Sequence, residues 1–346
     1  MQKRILTIII KEKKKKRKMN KVSVIIPVYN GEKYIRHALH SIERQTYPLI
    51  EIVAVNDGST DSSLQLLQEL AGRLREGVSL VIVDQENGGI CRARNSGLDF
   101  CSGEYIMFMD QDDLMKKECI EQLVSKQQFE DSDMVIAGYD LIGEDNRILE
   151  QWTLDPKLPW CKYRITAPWS RLYRRDIIEE NHIRFAITKI SEDFYFNLVY
   201  MSYCRRIDVI EYRGYGWKYR SGSESHANMS RIAEDRNPLI MLTQLMKDMK
   251  QPNLLEEDLV EYDILKQIVW YMLYVAKGAS AEELSRIYHE ALVWLETFLP
   301  NYKKNKKTSL FQPKGESLKV RMVICCFMLL HRLNLFLPFL KLYSKL

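Results

Sequence analysis

The sequence predicts an α/β fold, with a mostly parallel, doubly wound sheet flanked by helices and a helical extension after it. Two observations predict this fold. Between Lys21 and Asp113, buried-strand patterns alternate with amphipathic-helix patterns, which is typical of parallel sheets covered by helices. Beyond Ser225, apolar residues recur at spacings of three and four, which indicates helices. A chain of 346 residues can bury one large core and carry this extension.

Four strands and three helices alternate in the first region. Each strand is short and apolar, and each helix has apolar residues on one face. The predicted elements are a strand at Lys21–Val28, a helix at Glu32–Arg44, a strand at Ile50–Val55, a helix around Leu64–Leu70, a strand at Ser79–Val83, a helix around Arg92–Asn95 and a strand at Glu104–Met109.

A polar turn follows every one of these strands. The carboxyl ends of parallel strands lie at one edge of the sheet, and ligands bind there in folds of this type. A purely structural sheet has little reason to carry such groups at every exit, so the sequence predicts a nucleotide-type site at this edge. The four turns contain Tyr29-Asn30, Asn56-Asp57-Gly58, Asn87-Gly88 and Asp110-Gln111-Asp112-Asp113.

The last turn carries three carboxylates within four positions, at Asp110, Asp112 and Asp113. Like charges this close shift one another's pKa, so the cluster is costly without a compensating cation. Oxygen ligands with no Cys or His beside them suit Mg²⁺ or Mn²⁺. An EF-hand is excluded because Leu114 occupies the fifth loop position and no glycine follows at the sixth. A solvated acidic turn remains the alternative interpretation.

The glycine-rich loops that bind phosphate in many other proteins are absent. The first strand is not followed by Gly-x-Gly-x-x-Gly, which argues against a dinucleotide site, and no Gly-x-x-x-x-Gly-Lys-Ser/Thr loop occurs. The charge of a diphosphate must therefore be balanced by a metal ion and by a cation such as Arg94.

A series of motifs in a fixed order resembles that of the family 2 glycosyltransferases, which are inverting enzymes with the GT-A fold. The resemblance extends from Lys21 to Ser225, so we expect a catalytic domain over residues 19–225. The motifs are Val22–Asn30, Val55–Asp61, Ala93–Gly97, Met109–Asp113, Trp169–Arg175, Ser191–Phe194 and Tyr219–Ser223.

The resemblance implies roles for individual residues. The nucleotide-sugar, usually a uridine derivative, would be bound by Pro27, Tyr29, Asn30, Asp57, Gly58, Arg94 and Asp110. Mn²⁺ or Mg²⁺ would be held by Asp112, with Asp110 and Asp113 beside it and His226 as a further candidate ligand. The acceptor side would include Trp169, Glu192, Tyr219 and Arg220.

The resemblance also implies that Asp193 is the catalytic base. In inverting transfer an acceptor hydroxyl attacks the anomeric carbon opposite the departing nucleoside diphosphate, and a carboxylate takes its proton. The metal ion stabilises the charge of the leaving diphosphate. Taken alone, the Glu192-Asp193 pair is more typical of a helix N-terminus, where the helix dipole favours acids, and only its place after the other motifs favours the catalytic role. Tyr29 and His226 likewise have alternatives, as a turn residue and a surface-loop histidine.

Two further features concern the acceptor. The Gln-x-x-Arg-Trp motif and multiple membrane spans of processive synthases are absent, so we expect one sugar to be added per acceptor. Four aromatic residues either form a sugar-stacking wall or pack in the core. They are Trp160, Trp169, Tyr173 and Trp217.

Charge is concentrated at the two ends of the chain. Residues 1–18 carry a net +8 and residues 301–346 a net +9, so the total of +5 leaves −12 for residues 19–300. Because residues 19–300 are acidic, the net positive charge of the chain does not indicate nucleic-acid binding. We expect residues 1–18 to be a disordered extension, with Met19 as the native start.

The C-terminal part is predicted to comprise a helical extension at residues 226–300, suited to packing on the catalytic domain or to homodimer formation, and a basic, apolar segment at residues 301–346. Lys303–Lys307 is expected to be a linker. Because Arg332 interrupts the apolar run and Pro338 disfavours one continuous helix, we expect the segment to lie on a membrane surface, with spanning or docking on the protein as alternatives.

Seven cysteines, an odd number without Cys-x-x-Cys spacing or a secretory signal, indicate a reducing cytoplasm. The predicted function is transfer of one sugar from a UDP-sugar to a lipid-linked saccharide at the inner face of the plasma membrane, in cell-surface polysaccharide synthesis. Two alternatives are a sugar-phosphate nucleotidyltransferase and a non-catalytic partner subunit. A nucleotidyltransferase is disfavoured because the glycine-rich loop that such enzymes carry after the first strand is absent from this sequence. A non-catalytic subunit is disfavoured by the presence of both Asp112 and Asp193.

Overall fold

A computed structural model describes residues 19–188, 190–220, 237–250 and 256–345. The N-terminal extension and the candidate ligand His226 lie outside these ranges. Within the described ranges the chain forms one sheet with helices packed on it, and a group of C-terminal helices. The strands are β1 (Val22–Val28), β2 (Ile50–Asp57), β3 (Val78–Gln85), β4 (Tyr105–Phe108), β5 (Leu114–Met115), β6 (Met134–Ile142), β7 (Ile148–Trp152), β8 (Arg171–Arg174) and β9 (Ile207–Lys218).

Eleven α-helices accompany these strands in the described part of the chain. Those of the sheet domain are α1 (Ile35–Glu43), α2 (Ser63–Ala71), α3 (Ile90–Phe100), α4 (Cys119–Glu130), α5 (Arg175–Glu180) and α6 (Glu192–Tyr203). Those of the C-terminal region are α7 (Pro238–Asp248), α8 (Glu257–Ala276), α9 (Ala281–Phe298), α10 (Leu318–Arg332) and α11 (Phe336–Tyr343).

The sheet has two halves that differ in strand direction. In the first half β1 lies parallel to β2 and β4, and β2 lies parallel to β3. The second half begins with β8, which is antiparallel to both β4 and β6. Among the described residues the strand order is β3-β2-β1-β4-β8-β6-β9-β5, and β7 pairs with β6. The predicted alternating, parallel fold is thus confirmed for the first half, and the ends of β1, β2, β3 and β4 meet at one edge.

An aromatic cluster joins the two halves beneath this edge. Phe108, at the end of β4, makes edge-to-face contacts with Tyr173, Phe185 and Phe196, with ring centroids 5.2–5.6 Å apart. Phe196 belongs to α6 and Tyr173 to β8, and both are fully buried. Such pairs prefer edge-to-face geometry, which orients neighbouring rings. The start of α6 is therefore held over the junction of the two halves.

The C-terminal helices agree closely with the predicted ones. The spacing of apolar residues beyond Ser225 predicts helices within residues 226–300, and α7, α8 and α9 lie there. Helix α9 begins with a capping box: the Glu283 amide donates to Ser280 Oγ (3.2 Å), and the Ser280 amide donates to Glu283 Oε2 (2.8 Å). Both amides would otherwise lack a partner at a helix start.

The stretch that was expected to be a polar linker is packed instead. Tyr302 is fully buried, and its hydroxyl lies 2.7 Å from His331 Nε2, while His331 Nδ1 lies 2.9 Å from the Tyr288 hydroxyl. These contacts join α10 to α9, so residues 301–345 belong to the same helical group. The chain leaves α10 at Leu333, and Pro338 lies inside the first turn of α11, where proline is tolerated. None of the helices in the described ranges is long and apolar enough to cross a membrane.

Candidate active site

Arg94 of α3 lies at the centre of the site and joins two acidic residues from different halves of the sheet. Its guanidinium donates from Nη1 to Asp193 Oδ1 (2.6 Å) and from Nη2 to Asp110 Oδ1 (3.0 Å). Arg94 is only 2% exposed, whereas the two carboxylates are each about 30% open to solvent. One buried cation thus lies between two carboxylates, which leaves this group of charges net negative.

Asp193 occupies the first turn of α6, directly after Ser191 and Glu192. Ser191 adopts a left-handed conformation (φ 59°), which turns the chain into the helix. Burial raises the pKa of the Asp193 carboxyl to about 7, while Arg94 acts in the opposite direction and the Glu192 and Asp110 carboxylates add to the rise. A carboxyl with a pKa in this range can accept a proton near neutral pH.

The acidic turn is held against the end of β9 by Asp113. The Lys218 amide donates to Asp113 Oδ1 (2.8 Å), and the Tyr215 hydroxyl donates to Asp113 Oδ2 (2.6 Å). The same hydroxyl accepts from the Asp110 amide (3.2 Å). Asp113 is 1% exposed, and burial together with the Asp110 charge raises its pKa. Asp113 therefore supports the turn from inside, and its oxygens are not turned outward as ligands.

Asp112 lies beside Arg220, which the resemblance had assigned to the acceptor side. Arg220 Nη2 lies 2.9 Å from Asp112 Oδ2 and also donates to the Asp112 carbonyl (3.3 Å). The guanidinium carbon lies 3.4 Å from the centre of the Tyr34 ring. The Arg220 guanidinium thus neutralises the charge of Asp112, the predicted metal ligand. The carboxylate favours a positive charge beside it, whether that charge belongs to an arginine or to a metal ion.

The end of β2 is fixed by the side chain of Asp57. The amides of Gly88 and Gly89 donate to its two carboxylate oxygens (2.9 and 2.8 Å), and Gln85 Nε2 donates to Oδ1 (2.7 Å). Gly58 follows with φ 69°, and a Cβ there would lie 2.7 Å from the Asn87 amide nitrogen. Glycine is therefore required at this close approach of two loops.

The end of β1 presents Tyr29 and Asn30 beside these loops. Tyr29 is 48% exposed, and its backbone amide and carbonyl both bond to the side-chain amide of Gln111 (3.0 Å each). Asn30 has φ 47°, and its Oδ1 accepts from the Thr60 amide (2.8 Å). Pro27 lies two positions before Tyr29, on β1, and is half-buried. The exposed Tyr29 ring can stack on a planar base.

The residues predicted for the acceptor side differ in how far they are buried. Trp169 is 6% exposed and stacks on Tyr215, with parallel rings 4.6 Å apart, next to the acidic turn. Tyr219 lies at the surface beyond β9, and Glu192 is half-buried beside Asp193. Of the four aromatic residues considered for a stacking wall, Trp160 and Tyr173 are buried in the core, and Trp217 is half-buried near Trp169.

The site contains residues that the sequence did not identify. Tyr215 links the acidic turn to β9 and to Trp169, Gln111 links that turn to β1, and Tyr34 supports Arg220. Gln111 lies inside the acidic motif, between Asp110 and Asp112, and this position is the sequence signal that could have identified it. Tyr215, about a hundred residues further along the chain, has no such local signal.

The donor set suits Mg²⁺ or Mn²⁺ only in part. Within the described ranges, no group of three or more His, Cys, Asp or Glu side chains is arranged to hold a metal ion. These ions, however, need only one or two carboxylates when waters and substrate phosphates supply the other ligands. Asp112 and Asp110, both partly exposed, fit that requirement.

Comparison with known proteins agrees with this architecture. Residues 23–185 match the family described as glycosyl transferase family 2. The chain is 31% identical to glycosyltransferase GlyA of Streptococcus pneumoniae over 60% of its length, but spans only 32% of that relative. Staphylococcus aureus TarS residues 1–349, solved with UDP-GlcNAc, superimposes with a TM-score of 0.68 at 21% identity, covering 94% of this chain and 90% of that one.

A more distant structure has the same fold. It is the mannosyltransferase PcManGT from Pyrobaculum calidifontis, solved with GDP-Man and Mn²⁺, with a TM-score of 0.54 at 15% identity over 91% of this chain and 89% of that one. The fold is thus that of the GT-A enzymes. The family match covers residues 23–185, just under half of the chain, and this part of the chain is similar to glycosyl transferase family 2.

Proposed function

We propose that the protein is an inverting glycosyltransferase that moves one sugar from a UDP-sugar to a hydroxyl of a saccharide acceptor. The observation that supports this most directly is the bridge of Arg94 between Asp193 and Asp110. It brings the proposed base to the turn that would bind the donor, as a single displacement at the anomeric carbon requires. A purely structural ion pair would not need carboxylates from two separate motifs at the sheet edge.

Asp193 accepts the proton of the acceptor hydroxyl in this proposal. Its carboxyl, with a pKa near 7, is about half ionised at neutral pH and can take up a proton as the new bond forms. Arg94 holds the carboxylate in place through Oδ1, which leaves Oδ2 for the acceptor. Glu192, the preceding residue, adds negative charge and keeps the proton affinity of Asp193 high.

The donor lies across the ends of β1 and β2 in this proposal, with its base against Tyr29 and its diphosphate towards Asp110 and Asp112. The TarS structure with UDP-GlcNAc is the basis for choosing a uridine donor. Asp112, with Asp110 beside it, would hold Mn²⁺ or Mg²⁺. When bound, the ion supplies positive charge that stabilises the leaving diphosphate. Arg220, now paired with Asp112, provides a second cation for the same phosphates.

The acceptor is a saccharide carried on a membrane lipid, in the synthesis of a cell-surface polysaccharide on the cytoplasmic face. Support for this part comes from the basic C-terminal segment and from the relatives, among which TarS is named a poly(ribitol-phosphate) β-N-acetylglucosaminyltransferase. The chain spans 39% of TarS, so the acceptor of TarS suggests the chemical class of the acceptor and not its identity.

Release of UDP from a panel of UDP-sugars, with and without membrane extract as the acceptor source, tests the proposal. We expect one sugar to support acceptor-dependent release. Asp193→Asn should lower kcat by about 10²–10⁴ while calorimetric binding of UDP is kept. Asp99→Asn changes an exposed carboxylate that pairs with Arg184 at the surface, and this variant is the matched control and should be fully active. Turnover by Asp193→Asn at the wild-type rate would disprove the role of the base.

A second experiment separates the donor side from the base. Asp112→Ala should lose the enhancement of UDP binding by Mn²⁺, measured by calorimetry, and should still bind UDP weakly without metal. If Mn²⁺ enhances UDP binding equally in the variant, the ion is held elsewhere.

A further inference from the structure

The two C-terminal helices carry large apolar side chains on their outer surface. Seven such residues within 25 positions are between 38% and 64% exposed. They are Leu318, Met322, Leu329, Leu333, Leu335, Phe339 and Leu342. Single exposed apolar residues are ordinary, but a group of this size on adjacent helices marks an interaction surface.

The spacing of these residues gathers them on one face of each helix. Along α10 and its C-terminal end, Leu318, Met322, Leu329 and Leu333 follow at intervals of four, seven and four, so they form a stripe. The opposite face of α10 is buried against the helical group through residues such as Phe327. Because the inner face already supplies the packing that holds α10, the outer stripe is not needed to fold it.

Positive charge flanks the stripe. Residues 317–345 contain five Lys and Arg residues and no Asp or Glu. On a helical projection Arg321 and Arg332 lie at one border of the α10 stripe and Lys319 at the other. Among the residues that the structure describes, none of these five side chains pairs with a carboxylate, in contrast to Lys303 and Lys307 just before them. The five are Lys319, Arg321, Arg332, Lys341 and Lys345.

We infer that this outer face of α10 and α11, here named the docking face, lies on an anionic lipid surface. An apolar stripe bordered by Lys and Arg is the pattern of helices that rest in the headgroup region, where leucines enter the acyl boundary and cations meet lipid phosphates. A second copy of the chain fits less well. Two-fold pairing through this face would bring identical positive borders together.

The docking face deepens the proposed function, because it presents the enzyme to an acceptor carried on a lipid. It does not depend on that function, since binding to vesicles can be measured without any substrate. Failure of the transferase assay and failure of the docking face are therefore separate outcomes.

Co-sedimentation of the full chain with vesicles tests the inference. We expect binding to vesicles that contain phosphatidylglycerol, weaker binding to pure phosphatidylcholine vesicles, and weakening by salt. The triple variant Met322→Gln, Leu329→Gln, Leu333→Gln should lower the partition onto phosphatidylglycerol vesicles by about tenfold or more, because attachment scales with the buried apolar area.

A matched control replaces three exposed apolar residues on other helices, with Phe100→Gln, Phe129→Gln and Ile240→Gln, which are 58–76% exposed. This control should bind vesicles as the wild type does. Circular dichroism melting of both triple variants shows whether they fold. Equal loss of binding in both triples would mean that general hydrophobicity drives it. Absence of wild-type binding would overturn the inference, as would a lipid-free dimer that only the first triple dissociates.

Discussion

The two halves of the sheet make different contributions to the site and are organised in different ways. In the parallel half, functional groups follow directly from consecutive strand ends, and bonds between neighbouring loops, such as those of Asp57 with Gly88 and Gly89, fix them. In the second half, where parallel and antiparallel strand pairs are mixed, Asp193 and Tyr215 reach the site through contacts with residues about a hundred positions away. The proposed donor side is thus built by contacts between neighbouring loops, and the proposed acceptor side by long-range packing.

This difference implies that substitutions in the two kinds of contact should have different effects. A change within the donor loops should alter nucleotide binding with limited effect on the rest of the fold. A change in a residue that joins the halves should affect stability, donor binding and proton transfer together. Arg94 and Tyr215 are the two side chains that join them most directly, because each contacts both the acidic turn and the second half.

Replacing Arg94 should have the largest effect. Arg94→Met leaves Asp110 and Asp193 without their shared cation at a site where the arginine itself is buried. Removing one partner of a buried pair costs about 3–5 kcal/mol of unfolding free energy, which urea denaturation can measure. Arg92→Met, two positions earlier on α3 and exposed, is the control and should change stability by less than about 0.5 kcal/mol. Equal stability of the two variants would show that the halves are not joined here.

The pH dependence of kcat/KM should show the protonation state of the Asp193 carboxyl. The carboxylate must be ionised to accept a proton, and its pKa is raised to about 7. Activity should therefore increase as pH rises through about 7 and fall about tenfold for each unit below it. The expected change in activity thus occurs at a higher pH than it would for an unperturbed aspartate, whose pKa is about 3.9. A profile that stays flat down to pH 5 would mean that Asp193 is ionised throughout, or that it is not the base.

Tyr215→Phe should have an intermediate effect on both halves. It removes the hydroxyl between the Asp110 amide and Asp113, and leaves a buried carboxylate oxygen without its donor. The cost of such an unsatisfied group is about 1–3 kcal/mol, and the KM for the donor should rise because the acidic turn loosens. Tyr212→Phe removes a half-buried hydroxyl from the same strand and is the control. If only stability changed, the hydroxyl would support the core without positioning the turn.

The same contrast explains what the sequence could and could not predict. The alternation of strands and helices, the polar edge and the C-terminal helices at Pro238–Phe298 follow from local periodicity, and the structure has them in place. The partner of Arg220 could not be predicted, since Asp112 lies about a hundred positions earlier and the contact depends on how β9 ends. Burial of Tyr302 was not predicted because four lysines lie within five positions of it, which is typical of a solvated stretch. The short turns at Tyr302–Lys304 and Lys306–Thr308 leave three of these lysines exposed, and the fourth, Lys307, pairs with Asp258.

The smallest effect is expected at Asn30, within the donor loops. Asn30 has a positive φ, and its Oδ1 accepts from the Thr60 amide. Asn30→Gly keeps the backbone conformation accessible and removes the hydrogen bonds that Oδ1 accepts from the amide and hydroxyl of Thr60, which should cost about 1 kcal/mol of unfolding free energy. Asn30→Ala removes the same bonds and also strains the left-handed conformation, adding about 1 kcal/mol. Urea denaturation of the pair separates the two terms, and donor binding should weaken in both while the pH profile set by Asp193 stays unchanged. A shifted profile would mean that the donor loops and the base are coupled more tightly than the division into two halves allows.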